Sequence, residues 1–592
     1  MLCRIYDEWN TKKNEEYKLQ NYTEEGADVF LKRMTTLFEH AAEDLGVVGQ
    51  PPPFRSVSTK VLQNCIQELQ AISLTRNART FAQTTDVLGD FFENTLSTTF
   101  KQTKGQFFTH AKIAEFVTRL AGVAEKVTPT RLRNLPSVID PSAGSGTFLI
   151  EALKQMEGAL KALHEDTSAS HTEVQRSQLE QWMSGTQTRD DREPARPWAT
   201  GQIFGIESNS DLSLVCKINM LMHCADAGHI SNGDALMPVE GVGDAQFDFI
   251  LSNPPFSVTL SDGHLNSLRD RGFTMANKQR SEHLFLELWQ RLLREEGCFS
   301  VVVPEAMLDV PAYSKARVYL LEHFWVDAVV ALPRSTFEPF TGTKTVVLRA
   351  TKKSEADRTE WAEAMEAASQ RFKTDVQRVQ YAFENVSSAQ DRRVFLAEPE
   401  QVGYTRSAKG LSEKPCDLLS ETGVLGRWQE HAYDQQPDRR FGFWIKLSDV
   451  VVRPSLRLDP KHHWLWTVNG GCIDPHGGEA QPLHELITRQ RARRIPKGLL
   501  QDDGLLQDDG LLQEDGLLRE GGRLQVDVAM LNGLPIVTEE LMLETEGARI
   551  AFDDSEIALF ATAPFKALRN DADRHWIGRY IAYLRFPRSC TR

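Results

Sequence analysis

Asn253-Pro254-Pro255-Phe256 closes the apolar run Phe247-Asp248-Phe249-Ile250-Leu251-Ser252, and these residue types suit chemistry on a planar amine. An apolar run of that length, ending in a polar residue and two prolines, reads as a buried strand that stops at a sheet edge. The prolines cannot donate to a ladder and hold the chain rigid. An Asn amide and nearby carbonyls then point into a crevice, with an aromatic ring beside them. The Asn253 oxygen and the Pro254 carbonyl can accept hydrogen bonds from an exocyclic amine. That aims the amine lone pair at a methyl donor while Phe256 stacks on the ring. Asn-Pro is also an ordinary turn starter, so the tetrapeptide gains weight only from its surroundings.

Those surroundings lie upstream. Val138-Ile139-Asp140-Pro141-Ser142-Ala143-Gly144-Ser145-Gly146-Thr147 reads as a strand end, a glycine turn and a helix start. Gly144 and Gly146 let the backbone turn tightly and approach a ligand, and the helix offers it N-terminal amides. The spacing is not the dinucleotide fingerprint, and no Gly-Lys-Ser/Thr follows to make a phosphate loop. Two more acidic strand ends come next. Ile203-Phe204-Gly205-Ile206-Glu207 ends in a carboxylate suited to ribose hydroxyls. Asp234, after Ile230-Ser231-Asn232-Gly233, can read an adenine amine. Each acid alone also fits a solvated loop; their order ahead of the Asn-Pro-Pro-Phe strand points to one ligand site.

With these motifs in hand, the chain resembles the N6-adenine DNA methyltransferases, most closely the modification subunit of type I restriction–modification systems. Gly105-Gln106-Phe107-Phe108-Thr109 is similar to the family's N-terminal cofactor motif, and Asp86 to Glu93 to the helix leading into it. Gly297 to Glu305, and Ala331 to Leu348, resemble later parts of the core. The resemblance is dense from about residue 80 to 352. One departure is His110, where the family usually has Pro after the Thr. The resemblance implies S-adenosylmethionine as cofactor, with Asp140, Gly144 and Gly146 on its methionine side, Glu207 at its ribose and Asp234 at its adenine. Phe107 and Thr109 would close the site. It further implies a target adenine flipped out of duplex DNA and read by Asn253, Pro254, Pro255 and Phe256. A separate specificity subunit, and a restriction subunit, are the implied partners.

Composition sets limits on this reading. At 592 residues the chain is long enough for several domains. It has no apolar run able to span a bilayer, and the charge-rich start is no signal peptide, so a cytoplasmic protein is expected. The eight cysteines show no C-x-x-C pair or metal-ligand spacing, which favours reduced, mostly buried thiols and no metal. The formal charge of −14 opposes DNA binding, which depends on neutralising phosphates. Clusters that can offset it are Lys101, Lys104 and Lys112; Arg269, Arg271, Lys278 and Arg280; and Arg489, Arg491, Arg493, Arg494 and Lys497. Each also fits a solvated face. The overall acidity suggests that a partner supplies much of the grip.

The elements that must position these residues alternate strands and helices, which implies an α/β fold with a mostly parallel doubly wound sheet; the resemblance implies that this is the S-adenosylmethionine-dependent methyltransferase fold. Helical spacing around Phe30, Met34, Leu37 and Phe38, and around Val61, Ile66 and Leu69, predicts an N-terminal helical domain over 1–95. The methyltransferase domain is expected over 96–352, with a polar, exposed insertion over 157–200. A helical or linker region follows over 353–440. The last part, 441–592, reads as an α+β accessory region, with Trp444 to Pro460 weakly resembling the opening of a type I target-recognition domain. Within it, 498–521 is a six-residue Gly-Leu-Leu-Gln-Asp-Asp repeat, too short for a solenoid unit. Methyltransferases acting on RNA or protein glutamine use the same tetrapeptide, and a non-catalytic DNA-binding or assembly subunit is a further alternative.

Overall fold

The computed structural model describes residues 1–70 and 109–467, apart from 12–14, 23, 45–53, 55–56, 167–170, 185–196, 200, 224–228, 277–279, 339–340, 408–409, 432, 434 and 452–455. Phe107, Lys101, Lys104, Lys278, the basic cluster at 489–497 and the repeat at 498–521 therefore lie outside the described residues.

Helices α1 (Leu2–Asn10), α2 (Ala27–Asp44) and α3 (Thr59–Gln70) open the chain. Phe30, Met34, Leu37, Phe38 and Ile66 are buried as their spacing predicts, whereas Val61 is exposed. After α4 (Ala111–Ala121) the chain alternates strands and helices: β1 (Val138–Asp140), α5 (Thr147–Glu165), α6 (Glu173–Ser184), β2 (Ile203–Glu207), α7 (Ser210–Met222), β3 (Ile230–Asn232) and β4 (Phe247–Ser252). Then come α8 (Asp262–Asp270), α9 (Ser281–Leu292), β5 (Leu293–Pro304), α10 (Ser314–His323), β6 (Phe324–Ala331) and β7 (Thr345–Lys352). Helices α11 (Glu355–Ser369) and α12 (Asp375–Asn385) lead to β8 (Arg393–Ala397), β9 (Val402–Ser407), β10 (Gly410–Cys416) and β11 (Phe443–Lys446).

Nine strands form one sheet in the order β11-β8-β6-β7-β5-β4-β1-β2-β3. The pairs β2–β3, β1–β2, β1–β4 and β4–β5 are parallel; β7 runs antiparallel between β5 and β6. This is the mostly parallel α/β sheet that the sequence predicts. Strands buried on both faces explain the unbroken apolar runs. Phe249 and Leu251 pack in one apolar layer with Phe116 and Phe148, while Ile250 faces the other with Phe299 and Trp289, as alternation requires. Asp248, a charge inside the β4 run, is held by Arg131 at 3.0 Å, Arg294 at 3.3 Å and the Ser137 N–H at 2.9 Å.

Two stretches differ from the sequence expectation. The region 157–200 is not simply an exposed insertion. Helix α5 continues through Glu165 with Leu160 buried, and Leu179, Trp198 and Ala199 join the same core. Sparse apolar anchors in a polar segment hid that packing. The stretch 353–440 contributes β8, which pairs in parallel with β6, and β11 then pairs antiparallel with β8. Among the described residues no helix is long and apolar enough to cross a membrane.

Candidate active site

The parallel strands β1, β2, β3 and β4 end along one edge of the sheet. Between β1 and β4 the chain order reverses, because β1 passes to β2 on one side while β4 lies on the other. Such a reversal leaves a crevice outside the carboxyl ends of the strands. Asp140, Glu207, Asp234 and Asn253 all follow strand ends at this edge.

The glycine loop is built by contacts from two other elements. Gly144 has φ +55° and Gly146 φ +90°, values that L side chains rarely adopt. A Cβ on Gly146 would lie 2.9 Å from the Cys216 Sγ in α7, whereas one on Gly144 would meet nothing within 4 Å. The Gly144 N–H donates to Glu207 Oε2 at 3.0 Å. Glu207 Oε1 accepts the Asn209 N–H at 2.8 Å. Asn219, fully buried on α7, donates from Nδ2 to the Ser145 carbonyl at 3.0 Å. Glu207 thus grips the loop and the start of α7 with one buried carboxylate. Asn219 carried no sequence signal, because its partner lies 74 residues away.

Asp140 is fully buried at the end of β1. Its Oδ1 accepts the Ser252 hydroxyl at 2.6 Å and the Ser142 N–H at 2.9 Å. Ser252 directly precedes Asn253, so this bond ties the end of β1, where the glycine loop starts, to β4. Burial pushes the Asp140 carboxyl up to about 7. The bonds from Ser252 and Ser142 pull against that rise, and nearby Glu207 adds to it.

At Asn253 the side-chain Nδ2 donates to the Thr109 Oγ1 at 3.0 Å. Thr109, expected to close over the cofactor, therefore also sets which way the Asn253 amide faces. The Asn253 Oδ1 is buried and has no hydrogen-bond partner among the described residues. Next to Thr109, His110 takes the place of the expected Pro and caps α4, its Nδ1 accepting the Lys112 N–H at 3.1 Å. Its ring stacks on Tyr404 of β9, centroids 3.8 Å apart. The Tyr404 hydroxyl donates to the Thr336 carbonyl at 2.9 Å, and Lys112 Nζ to the Gly403 carbonyl at 3.0 Å. The start of α4 is thereby fixed against β9. Phe256 is 7% exposed and belongs to the core layer that holds Phe249 and Leu251. The Pro255 carbonyl accepts the Ser281 hydroxyl at 3.0 Å.

Asp234 stands apart from this group. Its Oδ1 caps the Leu236 N–H at 2.9 Å, and its Oδ2 lies 3.3 Å from the His264 Nε2 on α8. The Gly233 N–H and the Asn232 Nδ2 both donate to the Glu207 carbonyl, at 3.0 and 2.8 Å. They tie the Asp234 loop to the end of β2. His264 was not singled out in the sequence.

These residues fit S-adenosylmethionine, the donor that the resemblance implies. Asp140 Oδ2 and Ser142 Oγ are buried and unpaired among the described residues, and such groups need a polar partner. A ligand bearing an ammonium group and hydroxyls supplies one. The open space above Gly144 allows its close approach.

The N-6 DNA methylase family model matches residues 83–411, more than half of the chain. The EcoEI type I restriction enzyme methylase subunit of Escherichia coli is 27% identical over 251 residues, 42% of this chain and 42% of its own length. The chain thus spans under half of that relative. The MpnII type I methylase subunit of Mycoplasma pneumoniae is 21% identical over 442 residues, 70% of this chain and 71% of that protein. Among solved structures, a type I restriction-modification methyltransferase subunit from Streptococcus thermophilus shares 16% identity and covers 73% of this chain and 76% of its own, with a TM-score of 0.45. Since that family model takes in the strand ends and every site residue described above, the chain belongs to the N-6 DNA methylase family.

Proposed function

We propose that this chain is an adenine-N6 DNA methyltransferase that uses S-adenosylmethionine and works in the cytoplasm as the modification subunit of a type I-like restriction–modification system. The observation that carries the reading is the Asn253 amide. Its Oδ1 is buried and unpaired, and its Nδ2 is anchored by Thr109, so one acceptor is left for an incoming amine.

A paired adenine hides its amine in the stack, so the base must leave the duplex. Asn253 Oδ1 and the Pro254 carbonyl accept the two amine hydrogens and turn the lone pair toward the glycine loop. Phe256 lines the wall against which the ring packs. Asp140 and the loop amides hold the methionine side of the cofactor, Glu207 its ribose and Asp234 its adenine, while Phe107 closes the site with Thr109. When bound, S-adenosylmethionine supplies an electrophilic methyl group. No strong base is required of the chain, because the amine loses its proton after attack. The rate comes from positioning and from excluding water. A specificity subunit supplies sequence reading and part of the DNA grip, in keeping with the net charge of −14.

The test is N6-methyladenine in DNA from a methylation-free host expressing the chain with and without a specificity subunit. In vitro, transfer to duplex DNA is compared with transfer to RNA and to protein. Asn253→Ala is expected to lower transfer by about a thousandfold, as loss of a preorganised polar group at a reacting centre does. Cofactor affinity, read by calorimetry, stays within about twofold of native. Methyl transfer to RNA or protein in preference to DNA would overturn the substrate assignment.

A further inference from the structure

Beyond Phe256 the chain turns through Ser257, a non-glycine residue at φ +55°. An L side chain persists in that region only where its surroundings over-determine it. The first residues of α9 and the residue before it do so. The Ser257 N–H donates to Glu282 Oε1 at 2.8 Å, and its hydroxyl does so at 3.4 Å. The Ser281 hydroxyl donates to the Pro255 carbonyl at 3.0 Å and accepts the Val258 N–H at 3.3 Å. The Ser281 N–H donates to the Val258 carbonyl at 3.0 Å, and Thr259 bridges Arg280. Backbone groups on both sides of Phe256 are thereby held.

Glu282 is itself braced. It is 1% exposed, and Oε1 also receives the Tyr313 hydroxyl at 3.4 Å. That hydroxyl accepts an N–H from Arg280 at 2.8 Å, and the Arg280 guanidinium lies 5.3 Å from the Tyr313 ring centroid. Glu282 Oε2 is buried without a hydrogen-bond partner among the described residues. Burying a half-satisfied carboxylate is costly, and an apolar side chain would fill the space better if packing were its whole purpose.

We infer that Glu282 is a positioning residue for methyl transfer, which acts through Ser257 to fix the turn that aims Phe256 and the Asn253-Pro254 acceptors. The inference rests on the role given to those residues above. Its test uses the full chain and three readouts: hydrogen exchange of the peptide spanning 250–260, cofactor affinity, and the initial rate of transfer to duplex DNA with a specificity subunit present. Glu282→Ala is expected to speed exchange at Ser257 and Val258, leave cofactor affinity within about twofold, and slow transfer about 10- to 100-fold, the usual effect of a small misplacement. Adding Ser257→Gly should recover most of the lost rate, because glycine adopts the turn without help. Glu282→Gln keeps an acceptor at Oε1 and should stay near native. If Glu282→Ala does not fold, Tyr313→Phe carries the test, with faster exchange at Ser257 expected. Unchanged exchange in Glu282→Ala or in Tyr313→Phe overturns the inference, as does a double variant no faster than the single one. Altered exchange in Glu282→Ala beside a native chain that transfers no methyl group even with a specificity subunit present upholds the clamp and overturns the function proposed above.

Discussion

Burial raises the Asp140 carboxyl to about 7, which places its titration near neutral pH. The sign follows from linkage. A buried acid whose folded value exceeds its unfolded value near 3.8 binds its proton more tightly when folded. Its contribution to stability is therefore greatest in acid. It is lost as pH climbs from about 4 through 7, the reverse of a salt-bridged carboxylate. A cofactor carrying an ammonium group favours the ionised form. Cofactor affinity should thus rise about tenfold between pH 6 and pH 8 and then level off. Calorimetric titrations across that range should show the rise in the native chain and a flat, weaker response in Asp140→Asn. An equal slope in both would assign the titration to another group. Neighbouring Ser252 enters this argument only through a bond spanning 112 residues, and Thr109 reaches Asn253 across 144. Residue types at the strand ends were legible in the sequence, but their pairing depends on which strands become neighbours.

At the scale of single elements, the glycine loop separates two reasons for a missing side chain. Gly146 has φ +90°, and a Cβ there would meet the Cys216 Sγ at 2.9 Å. Gly144, at φ +55°, faces open space. Gly146→Ala should cost about 1–3 kcal/mol of stability, from strain and from displacing α7. Gly144→Ala should cost only about 1 kcal/mol yet weaken cofactor binding at least tenfold, because the added methyl group stands where a ligand approaches. Denaturant unfolding and calorimetry on both variants check this, and it fails if the two losses fall on the same glycine. The turn itself was readable, since Asp-Pro-x-x-Gly-x-Gly between an apolar run and a helix leaves few conformations. The bond from α7 behind it was not, because Asn219 looks like any polar residue within an apolar helix. The polar stretch at 157–200 misled for a related reason. Leu160, Leu179 and Trp198 are too widely spaced to show a period, yet each is buried.

For the molecule as a whole, charge and topology both bear on how the site is used. Some basic residues that offered a DNA surface are occupied within the fold. Lys112 donates to the Gly403 carbonyl, Arg271 to the Leu236 carbonyl and Arg280 to the Tyr313 hydroxyl. The sheet, in turn, does not stop where the sequence resemblance thins, near residue 352. Strand β8 lies against β6, with Ala328, Val329 and Val330 opposite Phe395, Leu396 and Ala397. Trp325 of β6 packs edge-on against Trp361 and Phe383 from α11 and α12, and Lys353 Nζ lies 4.0 and 3.2 Å from the Trp325 and Trp361 ring centroids. Chain beyond Lys352 also supplies Tyr404, which seats His110 beside Thr109 and hence bears on Asn253. A chain ending at Lys352 would uncover a long apolar edge strand, and each large side chain exposed gives up about 1.5–3 kcal/mol. It should aggregate on size exclusion. A chain ending at Thr467 keeps β8 and β11 and should elute as a discrete species that binds cofactor. A discrete, cofactor-binding fragment ending at Lys352 would mean that β8 and β11 are an appendage, and that the site is complete without them.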